Sequence, residues 1–390
     1  MSTAQESLHV LVDGAHLGRG AKGVGLYTAR VLEHLAQLDP ELRCTVLHLD
    51  RETPPPLDPR FHLEPTPWRN HLWHGFVTLP RAIRRHRPAV VWMPNETPVD
   101  TAGRPFVMIA HDVPRALREA QAQGSGMAHR PLERLRDRVD DWLLGRTLRR
   151  ATHLGVNSRW VGDQLVDLHS VDPARLASTP CAPADDFAGM AKDVDRAAVR
   201  RRLGFDDGYV LTFFTGDWRE NPAVVPEVFE RLHRTRPILG LVVAGIRPGQ
   251  ESQARALYDG RPWRERVRFH PFLDADHRVE LAGLYTAAEA YFDPSLQEGF
   301  GMQVVEAMAC GTPVVCGDRG ALPEVTDGHA LLVDPLDVEA MAEALDGILA
   351  HDERRQALVD AARRRAAEFD WRQTAETLLH CLRRAARGNA

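Results

Sequence analysis

Residues 290–317 read AYFDPSLQEGFGMQVVEAMACGTPVVCG. An apolar run of strand length, AYFDPS, turns through a glycine-rich loop into a small-residue helical stretch and leaves it as a second apolar run, TPVVCG. Short, continuously apolar runs suit strands buried on both faces, and such strands belong to parallel sheets. The stretch therefore reads as one βαβ unit, with two carboxylates in its loop and helix: Glu298 beside the glycines and Glu306 in the first turns of a helix expected over 303–310.

The same alternation extends in both directions. Upstream, HVLVD, CTVLHL, AVVWMP, FVMIAHD and HLGVN read as buried strands, separated by amphipathic patterns such as VGLYTARVLEHLAQL and SRWVGDQLVDL. Nearer the block, YVLTFF, LGLVVAG and VRFHPF repeat the plan, and ALLVDP follows it. Repeated βα units predict the α/β class, here two doubly wound Rossmann-like domains facing each other across a cleft. The expected boundaries are a first domain over 1–185, a hinge over 186–200 in the Pro-, Ala- and Asp-rich TPCAPADDFAGMAKDVDRAAV, a second domain over 201–370, and a terminal helix over 371–390 crossing back to the first domain. The polar stretch REAQAQGSGMAHRP (118–131) reads as a loop. Open α/β sheets bind ligands beyond the carboxyl ends of their strands, so the chemistry belongs in the loops that follow strands.

Composition narrows the function classes. The chain has 390 residues, 44% hydrophobic and 26% charged, with a net charge of -5. That acidic balance argues against general nucleic-acid binding, which needs a basic footprint to neutralise phosphates. Its five cysteines are scattered without CxxC or Cys/His ligand spacing, so neither a zinc site nor a disulfide framework is expected, and a reduced compartment fits. The N-terminus lacks a basic and apolar leader pattern, and no apolar run reaches membrane-spanning length; the expectation is a cytoplasmic protein. The segment WRNHLWHGFVTLPRAIRRHRP (68–88) combines Trp68, Trp73, Phe76 and Leu79 with Arg81, Arg84, Arg85 and Arg87. It reads first as a helix with one buried and one solvated face; the rival is peripheral contact with an anionic membrane, which would go with a lipid-linked acceptor.

Two glycine loops are candidate anion cradles. After HVLVDG, Gly18, Gly20, Gly23 and Gly25 precede a helix, and glycine lets a backbone approach an anionic oxygen at a helix start. A tight turn made for packing explains these glycines equally well. In the second half, Gly299, Phe300, Gly301, Met302 and Gln303 form the same device. Taken singly, Glu306 could serve only the helix dipole and Glu298 only a solvated turn. Both together, flanking GFG between a strand and a helix, point to a polar ligand.

At these residues the sequence resembles the retaining, nucleotide-sugar-dependent glycosyltransferases of the GT-B fold, family 4 (group 1) type. The Glu-x7-Glu pattern is met at Glu298 and Glu306, and the likeness continues through HALLVDPLDVEAMAEAL to FDWRQTAETLL. Upstream, GAKGVGLYTARVL, IAHDVP and LGVNSRWVGDQL match the family's first glycine loop, its His-Asp strand end and the end of its first domain. The resemblance implies that Glu306 binds the donor's two ribose hydroxyls and that Glu298 sits by the donor sugar. It also implies that the amides of 299–303 meet sugar hydroxyls and diphosphate, that Gly23 meets the β-phosphate, and that His111 lies under the sugar. The implied co-substrate is a UDP-, GDP- or dTDP-linked hexose, with a small-molecule, saccharide or lipid-linked hydroxyl acceptor, and neither cofactor nor metal.

One departure stands out. The loop after YVLTFF, FFTGDWRENPAVV, keeps Arg219 and Asn221, but Glu220 occupies the place of an expected Lys. An acid beside a diphosphate is unfavourable by about 1–4 kcal/mol at roughly 4 Å. The expectation is that Glu220 points away and that another cation, Lys22 or Arg247, substitutes. The departure keeps three rivals in play: a nucleotide-sugar epimerase, a pseudo-glycosyltransferase joining non-sugar rings, and a non-catalytic nucleotide-binding relative.

Overall fold

The apolar runs assemble into two parallel sheets. The computed structural model describes residues 7–18, 23–67, 69–113, 131–274 and 277–388, with the backbone alone at 131–136 and 354. Lys22, Trp68 and nearly all of the 118–131 stretch lie outside the described residues. The chain divides into two units, Met1–Cys181 with Trp371–Ala390, and Ala182–Asp370.

In the first unit, β1 (His9–Asp13) is followed by α1 (Val24–Leu38), β2 (Arg43–Leu49) and β3 (His62–Thr66). A helical stretch from His71 then includes a π-turn over His74–Thr78 and ends as α2 (Leu79–His86). Next come β4 (Val90–Met93), β5 (Phe106–Ala110), α3 (Pro131–Arg150), β6 (His153–Val156), α4 (Arg159–His169) and β7 (Leu176–Ser178). The sheet order is β3-β2-β1-β4-β5-β6-β7, with every pairing parallel. The edge strands β3 and β7 carry no apolar run and were not expected; β3, HLEPT, is largely exposed and holds Pro65, which an edge position tolerates. Leu79, Ala82 and Ile83 of α2 are buried while Arg81, Arg84 and Arg85 face solvent, the pattern of an ordinary half-buried helix.

The second unit opens with α5 (Phe187–Lys192) and α6 (Arg196–Leu203), so the stretch read as a hinge, 186–200, holds two short helices that pack on a later helix of the same unit. It continues with β8 (Tyr209–Phe213), α7 (Val224–Thr235), β9 (Gly240–Ile246), α8 (Glu251–Ala256), β10 (Val267–Pro271), α9 (Arg278–Ala287) and β11 (Ala290–Asp293). It ends with α10 (Met302–Cys310), β12 (Val314–Gly317), α11 (Leu322–Thr326), β13 (Leu331–Val333), α12 (Val338–Ala350) and α13 (Asp352–Ala366). The sheet order is β10-β9-β8-β11-β12-β13, again parallel throughout. The terminal helix α14 (Trp371–Ala386) belongs to the first unit. There Trp371 meets Tyr27 of α1 edge-on at 5.5 Å, and the Thr374 hydroxyl donates to the Pro180 carbonyl at 2.7 Å.

Each sheet reverses its strand order once, between β1 and β4 and between β8 and β11. At such a switch the flanking connections leave toward opposite faces, and the carboxyl edge opens into a crevice that takes ligands. Each unit buries its own apolar core, one around Leu11, Val91, Met108 and Leu154 and the other around Val210, Val243, Phe292 and Val315. Burial of these strands on both faces fixes the positions of the loops at the crevices.

Candidate active site

The second unit's crevice lies between the loop after β8 and the loop after β11. From β11, Asp293 ends the strand with its carboxylate buried; the hydroxyl and amide of Ser295 donate to one of its oxygens and the Tyr291 hydroxyl to the other at 3.2 Å. Burial pushes its carboxyl above the usual range, although these three donors oppose the shift. From β8, Glu220 turns back on its own loop and accepts from the amide of Thr215 at 2.7 Å and from its hydroxyl. Its carboxylate is thus engaged by its own loop. It also lines a cavity of about 20 Å³ together with Asp293, Glu298 and Gln303. Arg219 is held by Asp217, with N–H to oxygen distances of 2.7 and 3.0 Å, and the Arg219 carbonyl accepts from the Leu296 amide at 2.7 Å. That last bond ties the two crevice loops together.

Glu298 is fixed through its backbone. Its carbonyl accepts from the Ala321 amide at 2.9 Å, and Gly320, at φ 65°, passes so close that an added Cβ would stand 2.8 Å from the Glu298 nitrogen. Only glycine fits that approach. The helix α10 starts at Gly301 with φ 89° and no side-chain cap, so side chains leave its first-turn amides unclaimed. Phe300 is buried with its ring edge-on to Phe369 at 5.2 Å, which leaves only its backbone for a ligand. Met302 and Gln303 are partly exposed on the first turn.

Glu306 lies farther along α10, partly buried, and accepts from the Tyr285 hydroxyl at 3.0 Å. Burial pushes its carboxyl up to about 7, against the lowering effect of that hydrogen bond. Arg247, after β9, is exposed and lies over the Phe272 ring at 5.2 Å. Its turn is joined to the β8 loop by Gln250, whose side-chain amide donates to the Thr215 carbonyl at 2.7 Å.

The first unit's crevice has different chemistry. Asp13 at the end of β1 accepts from the His74 ring at 2.9 Å, both side chains almost fully buried. The pairing holds the Asp13 carboxyl low and raises the His74 imidazole, each against the effect of burial. Across the switch, His16 and Asn95 are joined at 2.9 Å. His111, past β5, places Nε2 2.9 Å from the Pro94 carbonyl and packs edge-on against Tyr27 at 4.7 Å. A carbonyl accepts only, so Nε2 carries the proton and Nδ1 is left as an acceptor. Burial lowers the ring to about 4, which keeps it neutral. Glu96 accepts from the His111 amide at 3.2 Å, and its carboxyl is pushed up to about 7 by burial and by Asp112. Gly23, at φ 49°, starts α1 without a side-chain cap, as Gly301 starts α10.

Thus Glu298, Gly299, Gly301, Met302, Gln303, Glu306 and Arg219 gather at one sheet edge, with Arg247 one strand away; Gly23 and His111 stand at the sheet edge of the other unit. Sequence reading missed Tyr285, Tyr291, Asp293 and Asp217. Asp293 alone left a signal, as an acid closing an apolar strand. Among the described residues no group of three or more His, Cys, Asp or Glu is arranged to hold a metal ion, and no helix is long and apolar enough to cross a membrane.

Two Rossmann-like units carrying a Glu-x7-Glu helix at a switch-point crevice define a GT-B glycosyltransferase. Family models agree with that class: residues 21–182 match Glycosyltransferase Family 4 and residues 195–365 match Glycosyl transferases group 1. The chain belongs to this glycosyltransferase family, and the two matches together take up most of it. The D-inositol 3-phosphate glycosyltransferase of Segniliparus rotundus is 28% identical over 330 residues, 83% of this chain and 68% of that protein. The protein of the same name from Mycobacterium tuberculosis (strain F11) is 33% identical over 297 residues, 72% of this chain and 57% of that one. The chain therefore spans little more than half the length of the mycobacterial relative. Among solved structures, sucrose-phosphate synthase from Thermosynechococcus elongatus superposes with a TM-score of 0.72 at 19% identity, covering 98% of this chain and 100% of that one. Anabaena HepE in complex with UDP-glucose gives 0.68 at 15%, covering 95% and 99%. At those identities the likeness establishes the fold.

Proposed function

We propose that this protein is a retaining glycosyltransferase that moves a hexose-type residue from a nucleoside diphosphate sugar to a small hydroxylated or glycosylated acceptor, without a metal ion. The observation that carries this reading is the pairing of Glu298, backbone-fixed beside an uncapped helix start, with Glu306, hydrogen-bonded on the same helix. Glu306 accepts the two ribose hydroxyls; the amides of 299–303 meet the sugar hydroxyls and the diphosphate; Gly23 meets the β-phosphate; His111 lies under the sugar. Arg219 and Arg247 supply positive charge, and Lys22 in the first glycine loop is the further candidate cation. Arg219 already holds Asp217 and Glu220 is occupied by Thr215, so the backbone amides carry more of the phosphate contact than the β8 loop does.

The reaction breaks the bond between the anomeric carbon and the phosphate oxygen and forms one from that carbon to the acceptor oxygen on the same face. The acceptor's proton passes to the departing diphosphate. Stabilising the diphosphate as its charge grows is the main electrostatic demand, and donors fixed in advance meet it best. Glu298 stands near the anomeric centre and offsets positive charge there. The names of the relatives direct the acceptor screen to inositol phosphates and sugar phosphates.

The deciding experiment is a thermal-shift panel of UDP, GDP, dTDP and ADP. It is followed by transfer assays with the corresponding sugar donors, and the anomeric configuration of the product is read by NMR. One nucleotide should raise the melting temperature, with a stabilisation that grows as the logarithm of its concentration over its Kd. Stabilisation by none would remove the reading; binding without turnover over the acceptor screen would leave the non-catalytic relative, and product formed without acceptor would favour an epimerase.

A further inference from the structure

We infer that Tyr285 is a positioning residue for the donor's pentose: its hydroxyl fixes the Glu306 carboxylate in the one placement from which it accepts the ribose hydroxyls. The inference rests on the reading of Glu306 given above. Tyr285 is fully buried on α9, its ring packed against Phe213 at 5.7 Å, Tyr291 at 5.6 Å and Phe187 at 6.4 Å. Its carbonyl also takes the Thr312 hydroxyl at 2.6 Å, so ring and backbone are both held. Burial and the adjacent Glu306 push the phenol well above its ordinary range, so it stays a donor. A buried hydroxyl needs an acceptor, and Glu306 Oε2 at 3.0 Å is the one it has.

Glu306, for its part, has no other hydrogen-bond partner among the described residues. Without the phenol, a glutamate at that helix position would be free to change rotamer, and binding would have to restrict it. A carboxylate offers about four acceptor positions. Tyr285 takes one on Oε2, which leaves Oε1 and the second position on Oε2 for two vicinal hydroxyls. The aromatic group formed by Phe213, Tyr285 and Tyr291 thus links the end of β8 to the helix that carries the acid.

The test is Tyr285→Phe, which removes one oxygen and keeps the ring. Dissociation constants are measured for UDP, GDP and ADP and for their 2′-deoxy counterparts, with circular dichroism and thermal unfolding as checks of the fold. The wild type should prefer the ribo form of its nucleotide by about tenfold, as loss of a charged hydrogen bond implies. In Tyr285→Phe that preference should shrink to about twofold. Through the same contact, the substitution should add nothing once Glu306→Ala is present. A folded Tyr285→Phe protein that keeps the full ribose preference overturns the inference. A wild type without any ribose preference, unaffected by Glu306→Ala, instead overturns the reading of Glu306 itself. Should Tyr285→Phe not fold, Phe213→Leu removes a ring that packs against Tyr285 and leaves Glu306 unaltered. A shrunken ribose preference in that variant then supports the inference, and its full retention sinks it.

Discussion

The two crevices sit at the same topological position in two sheets of one kind, yet their polar groups differ. In the second unit, carboxylates are held by hydroxyls: Tyr285 on Glu306, Tyr291 and Ser295 on Asp293, and Thr215 on Glu220. In the first, imidazoles and amides are held by carbonyls and by one buried acid: His111 on Pro94, Asn157 on the His111 carbonyl, and His74 on Asp13. A hydroxyl-bound carboxylate keeps spare lone pairs and invites further O–H donors, as a ribose provides. An imidazole held neutral by burial offers shape and one acceptor, without charge. The scaffold fixes where each crevice lies, and the groups at its edge decide the chemistry it offers.

Breaking the buried pair in the first unit should have the largest effect. His74→Ala leaves Asp13 buried without its cation and should cost about 3–5 kcal/mol of stability. Chemical denaturation should register the loss; a change below about 1 kcal/mol would mean that the pair does not hold this edge. Within the second unit the two acids should separate. Glu298→Ala should lower turnover by about 100-fold with little change in nucleotide Kd. Glu306→Ala should raise that Kd by about tenfold or more. Equal, negligible effects of both would remove the assignment.

A pH titration sharpens the contrast further. Glu306 must be ionised to accept two hydroxyls, and its carboxyl sits at about 7. Nucleotide affinity should therefore rise as pH rises through that value, by about tenfold from one unit below it. The phosphate's own ionisation adds a second step, so the Glu306→Gln variant serves as the control that keeps only the latter. His111, lowered to about 4, is neutral throughout this range and should add no step. For stability the sign reverses: the folded state binds the Glu306 proton more tightly than the unfolded chain, so ionising it above about pH 4.5 lowers stability until pH passes about 7. Smallest of all is the charge reversal of Arg81, Arg84 and Arg85 to Glu on the solvated face of α2. Flotation with anionic vesicles should not change, because Leu79, Ala82 and Ile83 on the apolar face of α2 are already buried in the core.

Much of this was legible in the sequence where a residue's job is local. Six apolar runs in the second half became six strands, and Gly301 and Gly311 stand at a helix start and end that take positive φ. The Glu298–Glu306 spacing set one acid in the loop before the helix and the other within it. The connection near 186–200 was not legible: its scattered Pro and Asp resemble a linker, yet Phe187 and Ala191 are buried on one face of α5. Tyr285 and Asp217 were also silent. A tyrosine in an amphipathic helix looks like core packing, and only the approach of α10 gives its hydroxyl a partner. The partner of Glu220 was silent too, because sequence proximity to Arg219 says nothing of Thr215, which claims its carboxylate.

The sequence by itself determined the two-unit α/β plan, the family and the pair of acids, because strand burial, glycine conformation and residue spacing along one helix are properties of neighbouring residues. Tertiary structure alone decided which groups hold those acids and what state they are in. Hydrogen bonds such as Tyr285 to Glu306, and the burial that raises a carboxyl to about 7, join segments that meet only when the sheet and its helices pack.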